Sequence, residues 1–157
     1  MSKAKDAIGQ ILYLGSVILG VVSLFLPALR VSSSVSSDLG TYEEFSALNQ
    51  EQVSSMFTAN KMTGAFFIAI AVLSLYFMFV KFNKIAIFVF PVYSVIEVLV
   101  VLNNANNFNE TLKMNISDIS FAINVEVLYG VYLFGVAALA AIVSAVLTIM
   151  QYNKYYN

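Results

Sequence analysis

Glu97 is the residue of this chain best placed to do chemistry, and its surroundings are those a charge avoids. It lies inside "FPVYSVIEVLVVLNN", Phe90 to Asn104, which is otherwise almost wholly apolar. On a helix, Tyr93 and Ser94 stand four and three residues before it and Asn104 seven after, so the polar groups form one narrow stripe. A carboxylate in that position is either held by hydroxyls or titrates and binds a ligand, because ionisable groups inside a membrane are expensive and often functional. Pro91, one and a half turns earlier, is expected to kink the helix and free a carbonyl.

Other catalytic chemistry is largely excluded. The chain has no His, Cys or Trp. Thiolate chemistry and disulfides are therefore absent, and so are the usual general base and the commonest transition-metal ligand. No catalytic set, metal site or cofactor is expected. Net charge is −1, which leaves no basic footprint for nucleic acid.

The elements that must position Glu97 are membrane spans. Apolar residues make up 60% of the sequence and charged residues 11%, against about 25% charged in ordinary soluble domains. Four apolar runs, uncharged but for Glu97 in the third, approach the roughly 20 residues that a crossing helix needs. They cover residues 7–29, 62–80, 85–102 and 127–150, within a single domain, 1–157. A signal peptide is the rival reading of the first run, with Lys3 and Lys5 before it. That run is longer than an h-region, and no A-x-A site follows.

Charge sets the orientation. Lys3 and Lys5 precede the first span, Lys81 and Lys84 fill the "KFNK" turn, and Lys154 follows the fourth span. The outer loops, 30–61 and 103–126, are acidic. The positive-inside rule then predicts a plasma-membrane protein with both termini cytoplasmic. Tyr152, Tyr155 and Tyr156 suit an interfacial aromatic belt beside Lys154.

The outer loops carry structure of their own. "TYEEFSALNQEQVSSMF" reads as a short amphipathic helix, opened by a Thr41–Glu44 capping box. In "DISFAINVEV", Ile119, Phe121, Ile123, Val125 and Val127 alternate with Ser120, Ala122, Asn124 and Glu126, a strand period. "RVSSSVSS" is a weaker strand candidate, and the two are able to pair. Asn109-Glu110-Thr111 and Asn115-Ile116-Ser117 match the glycosylation sequon. The predicted fold is an all-α membrane protein: a four-transmembrane-helix bundle under a small extracellular cap, a short helix plus one or two β-strands.

Small residues mark the helix faces that pack, because lipid gives helices no hydrophobic drive to associate. Ala137, Ala141 and Ala145 recur at four-residue spacing, with Ala140, Ser144 and Thr148 beside them. The first span offers Ser16 and Gly20, and the second Ala65 and Ala69. These faces read as bundle interior, with a homo-oligomer seam as the competing use. At the depth of Glu97, roughly 7 Å below the outer end of its span at 1.5 Å per residue, lie Ser23 and Tyr132. Arg30, just past the first span, is long enough to reach inward. The predicted polar cluster is Glu97, Tyr93, Ser94, Arg30, Ser23 and Tyr132.

As a whole pattern the chain resembles small four-helix membrane proteins of low-GC Gram-positive bacteria. The stretches that carry the likeness are "SLFLPALRVS", "LYFMFVKFNKIAIF" and "LYGVYLFGVAALAAIVSAVL". That resemblance implies an accessory subunit of a membrane complex or an immunity protein against a secreted toxin. In either role it acts without catalysis, partnered by the lipid bilayer and another membrane or extracellular protein. Claudins share the topology, but their Trp and Cys pair in the first outer loop have no counterpart here. The alternative function is a small transporter or channel component using Glu97. A single intramembrane carboxylate fits that poorly, since an ion path strings several together.

Overall fold

The computed structural model describes residues 7–37, 50–111, 113–116 and 119–156. In chain order it comprises helix α1 (Ile8–Ser23), strand β1 (Pro27–Ser37), strand β2 (Gln50–Ser55) and a one-turn helix α2 (Met56–Ala59). Helix α3 (Lys61–Phe79) follows, then a 3-10 turn (Ala86–Phe88) and helix α4 (Val89–Thr111). Strands β3 (Lys113–Ile116) and β4 (Ile119–Val127) and helix α5 (Tyr129–Tyr156) complete the chain. The protein is mainly helical. Three helices are long and apolar enough to cross a membrane: Lys61–Phe79, Ala86–Phe108 with its 3-10 entry, and Tyr129–Tyr155.

The first apolar run does not stay helical to Leu29, as its composition predicts. The helix α1 has 16 residues, about 24 Å at 1.5 Å per residue. Its end tightens into i→i+3 bonds, Leu24 N to Val21 O, Phe25 N to Val22 O and Leu26 N to Ser23 O. Pro27 is the cause: it has no N–H to continue the ladder and disfavours helical geometry at Leu26. The chain leaves as a strand, and the apolar Ala28 and Leu29 pack into the base of the sheet rather than a further helical turn.

The bundle interior is built from the small residues. Ser16, Gly20, Ala137, Ala141 and Ala145 are all buried between helices. A Cβ on Gly20 would stand 2.9 Å from Phe90 Cζ, so only glycine lets α1 approach that ring. Ala65 and Ala69 differ from expectation and lie exposed; Gly64, Ala71 and Ser74 make the inward face of α3 instead. At the centre Phe67, Phe90 and Phe134 meet edge to face, with centroids 5.2 to 6.4 Å apart. Such pairs add about 0.5–1.5 kcal/mol beyond area burial.

Interior hydroxyls are satisfied close to home. Ser16, Ser94, Ser144 and Thr148 each donate to the carbonyl four residues back, at 2.7–2.8 Å. Ser23 donates to Gly20 O at 2.7 Å. Tyr13 does something different. Its hydroxyl, fully buried, donates to Ile87 O at 2.6 Å. The Ile87 carbonyl is the one that Pro91, four residues on, cannot serve because it has no N–H. The proline thus frees a carbonyl and α1 supplies its donor.

Above the helices lies one antiparallel sheet in the order β2-β1-β4-β3. The predicted strands do pair, with Leu29 opposite Val127 and Ser37 opposite Ile119. Two strands are additional. β2 overturns the helical reading of residues 50–55; Phe45, Leu48 and the Thr41–Glu44 box lie outside the described residues. Gln50–Ser55 has no strong pattern of its own, and β1 supplies its ladder, from Ser33 opposite Gln50 to Pro27 opposite Ser55. A capping box does exist, but at Ser55: its hydroxyl accepts from Thr58 N at 3.1 Å while Thr58 Oγ1 accepts from Ser55 N at 2.9 Å. Helix α4 also outruns the predicted 102. Its Asn-rich end packs beside β4 and buries Ala105, and tertiary contact overrides the weak helix propensity of Asn.

The opposite end gathers the lysines. Asn83 Oδ1 accepts from Ile85 N and Ala86 N at 3.0 and 3.1 Å, shaping the "KFNK" turn. Phe82 stacks on Tyr152 at 4.6 Å. Lys84 Nζ sits 5.3 Å from the Tyr152 ring centroid and donates to Asn153 Oδ1 at 2.6 Å. Lys81, Lys84 and Lys154 therefore share the end remote from the sheet.

Candidate functional site

Where the bundle meets the sheet, packing is incomplete. A cavity of about 160 Å³ lies there, walled by the exit of α1 (Leu24, Leu29), by α2 (Met56, Ala59), by the first turns of α3 and by Glu97 and Val101 of α4. Phe67 of the aromatic trio forms part of its lining. Ala59 and Asn60 are exposed and mark its mouth.

Local sequence explains each wall. Phe57 N donates to Leu24 O at 3.0 Å, tying α2 onto the end of α1. Asn60 caps α3, its Oδ1 accepting from Thr63 N at 3.1 Å. Gly64 has no Cβ because the Phe57 ring lies against it, and Phe57 in turn packs on Phe25 at 4.9 Å. One turn deeper, Phe66 and Tyr93 meet edge to face at 5.9 Å and close the seam between α3 and α4.

Glu97 is half-buried at this wall. Among the described residues it has no hydrogen-bond or ion-pair partner. The N-terminal turn of α3 lines the same cavity, and a helix N-terminus carries roughly half a positive charge. That field offsets part of the cost of a carboxylate at this depth without neutralising it.

The predicted cluster is thereby split. Glu97 faces the bundle as the polar-stripe argument requires. Ser94 and Ser23 are buried but spend their hydroxyls on Phe90 O and Gly20 O. Tyr93 and Tyr132 are 50% and 53% exposed, so neither closes over Glu97. Tyr93 lies about 40° from Glu97 on the side away from Ser94, and on that outer flank it packs on Phe66. Arg30 turns away from the bundle altogether. Its Nε lies 2.9 Å from Glu51 and its Nη1 3.0 Å from Glu126, with all three side chains substantially exposed. Pairing across the sheet explains this: Arg30 stands opposite Glu126 on one neighbour and opposite Val53 on the other, with Glu51 diagonal. Exposed pairs of this kind are worth at most about 1 kcal/mol.

Sequence reasoning missed the rest of the site. Met56, Asn60, Thr63 and Gly64 belong to a stretch read as the end of a loop helix and the start of a span. The available signal was Ser55-x-x-Thr58 followed by Asn60, two N-caps in succession. Tyr13 was missed too, since its partner is a backbone atom identified only through Pro91.

No protein-family model matches the chain, and comparison with curated proteins gives no match.

Proposed function

We propose that this chain is an integral membrane protein whose helices α1, α3, α4 and α5 all cross the bilayer. The sheet stands outside, and the termini and the "KFNK" turn lie in the cytoplasm. It works without catalysis, by binding another protein on the outer cap. Three helices have the length and apolarity to span. For α1 the turn at Leu24–Leu26 and the apolar start of β1 complete the crossing. Grouping of Lys81, Lys84 and Lys154 at one end supports the orientation.

The observation that carries the binding role is the open sheet. Among the described residues β2 pairs only with β1, so its other side offers a row of backbone donors and acceptors, a template for a partner strand. Glu51, Gln52 and Val53 along it are exposed. The interior argues against transport: its serine and threonine hydroxyls are satisfied by their own helices and Tyr13 by Ile87 O, the aromatic trio fills the middle, and Glu97 is the lone charge described away from the ends of the spans. An accessory subunit or an immunity protein facing a secreted toxin are the two roles this geometry serves.

A photocrosslinking residue placed at Gln52 tests the binding role in cells. The expected result is one reproducible protein adduct at Gln52, absent when the probe is moved to the lipid-facing Leu139. Adducts of the same pattern at both positions, or none at Gln52, would count against it.

A further inference from the structure

We propose that the cavity beneath the sheet is a binding site for an organic ammonium group carried on a small apolar body, with the Glu97 carboxylate as its counter-ion. This goes beyond the docking role of the cap and does not depend on it.

Three observations lead there. The first is the unpartnered carboxylate. Intramembrane charges are normally paired with one another or with backbone groups. The buried hydroxyls of Tyr13, Ser16, Ser23, Ser94, Ser144 and Thr148 each have a partner, whereas Glu97 is left with the partial charge of the α3 terminus. The second is size. A dry apolar cavity of about 150 Å³ accommodates one benzene ring, and this one measures about 160 Å³. The third is the lining. Leu24, Leu29, Met56 and Val101 offer no side-chain oxygen, and beside Glu97 only Asn60 and Thr63 carry one, with Asn60 Oδ1 already accepting from Thr63 N, so a calcium ion would fall short of the six or more ligands it needs. Among the described residues no group of three metal-ligating side chains exists. An alkyl or aryl ammonium satisfies both halves at once: its charge meets Glu97 and its body meets the apolar wall. The Phe67 ring is part of that apolar wall. The mouth lies at the exposed Ala59 and Asn60, open to a headgroup amine of a lipid and to a free amine, and the full negative charge of Glu97 exceeds the roughly half positive charge of the α3 N-terminus there, so the site keeps a net attraction for a cation.

Methionine methyls report on the site directly, because Met56 lines it. The full chain, labelled at its methionine methyls and held in nanodiscs, is titrated with benzylammonium and separately with benzyl alcohol. The Met56 signal is assigned by Met56→Leu. A saturable Met56 shift is expected with benzylammonium, at least about tenfold weaker with benzyl alcohol and in Glu97→Gln, since a charged hydrogen bond contributes about 1.5–3 kcal/mol. Val101→Phe, which fills the cavity and keeps the charge, should abolish the shift and guards against Glu97→Gln failing to fold. Discs of phosphatidylethanolamine and of phosphatidylglycerol separate the sources: weaker benzylammonium binding in the first marks a lipid headgroup as occupant, equal binding a free amine. No saturable shift, or equal shifts for the amine and the alcohol, or an unchanged shift in folded Glu97→Gln or Val101→Phe, would overturn the proposal.

Discussion

The middle of the bundle and its sheet end solve the same problem in opposite ways. Both contain polar groups among apolar helices. In the middle, each is answered: serines return to their own helix, and Tyr13 of α1 meets the carbonyl that Pro91 strands on the 3-10 turn. The space is filled by Phe67, Phe90 and Phe134. At the sheet end a costlier group, the Glu97 carboxylate, borders an unfilled cavity. A middle that satisfies every hydroxyl serves stability. An end that leaves a charge and a void side by side is where we propose the ligand site.

Three substitutions press on this contrast. Phe134→Ala should have the largest effect, since it removes a fully buried ring from a mutually packed trio. A loss of about 3–5 kcal/mol is expected for a fully buried aromatic, measured by reversible unfolding in mixed micelles. A loss under about 1 kcal/mol would mean that the trio is not the packed centre.

Tyr13→Phe comes next. It leaves the Ile87 carbonyl buried without a donor, at a cost of about 1–3 kcal/mol. In a Pro91→Ala background residue 91 regains an N–H, and the same change should then cost markedly less. That non-additivity is the signature of one shared acceptor. Equal costs in both backgrounds would break the link between the tyrosine and the proline.

Glu97→Leu should have the smallest effect on stability, and its sign is the informative part. A carboxylate held by partners would cost about 1–3 kcal/mol to remove. One that faces a cavity without partners should cost nothing, and its removal should leave stability unchanged or raise it by about 1 kcal/mol, because the desolvated charge disappears. The same unfolding measurement decides between the two.

The contrast also shows what the sequence could and could not convey. Helix faces were legible because close packing needs small residues: Ala137, Ala141 and Ala145 are buried as their spacing implies. The pairing of β1 with β4 was legible from the alternation in 119–127. What failed were features set by distant partners. Gln50–Ser55 becomes a strand through β1, and the Asn-rich end of α4 stays helical through β4. Arg30, which its sequence position allows to reach Glu97, is claimed by Glu51 and Glu126 across the sheet. Depth along a span is readable from 1.5 Å per residue; the rotation that sent Tyr93 and Tyr132 outward depends on neighbours that no spacing reveals.

Central to the account is a bundle in the membrane with its sheet outside, and cysteine accessibility tests it most directly. The chain has no cysteine of its own, so single replacements at Gln52, Asn83 and Asn124, all exposed, report without background. With an impermeant thiol reagent on intact cells, Gln52→Cys and Asn124→Cys should label, and Asn83→Cys should label only after the cells are opened. Labelling of Asn83→Cys in intact cells while the two sheet positions stay silent would contradict the orientation, and labelling of all three only in opened cells would contradict the exposed sheet.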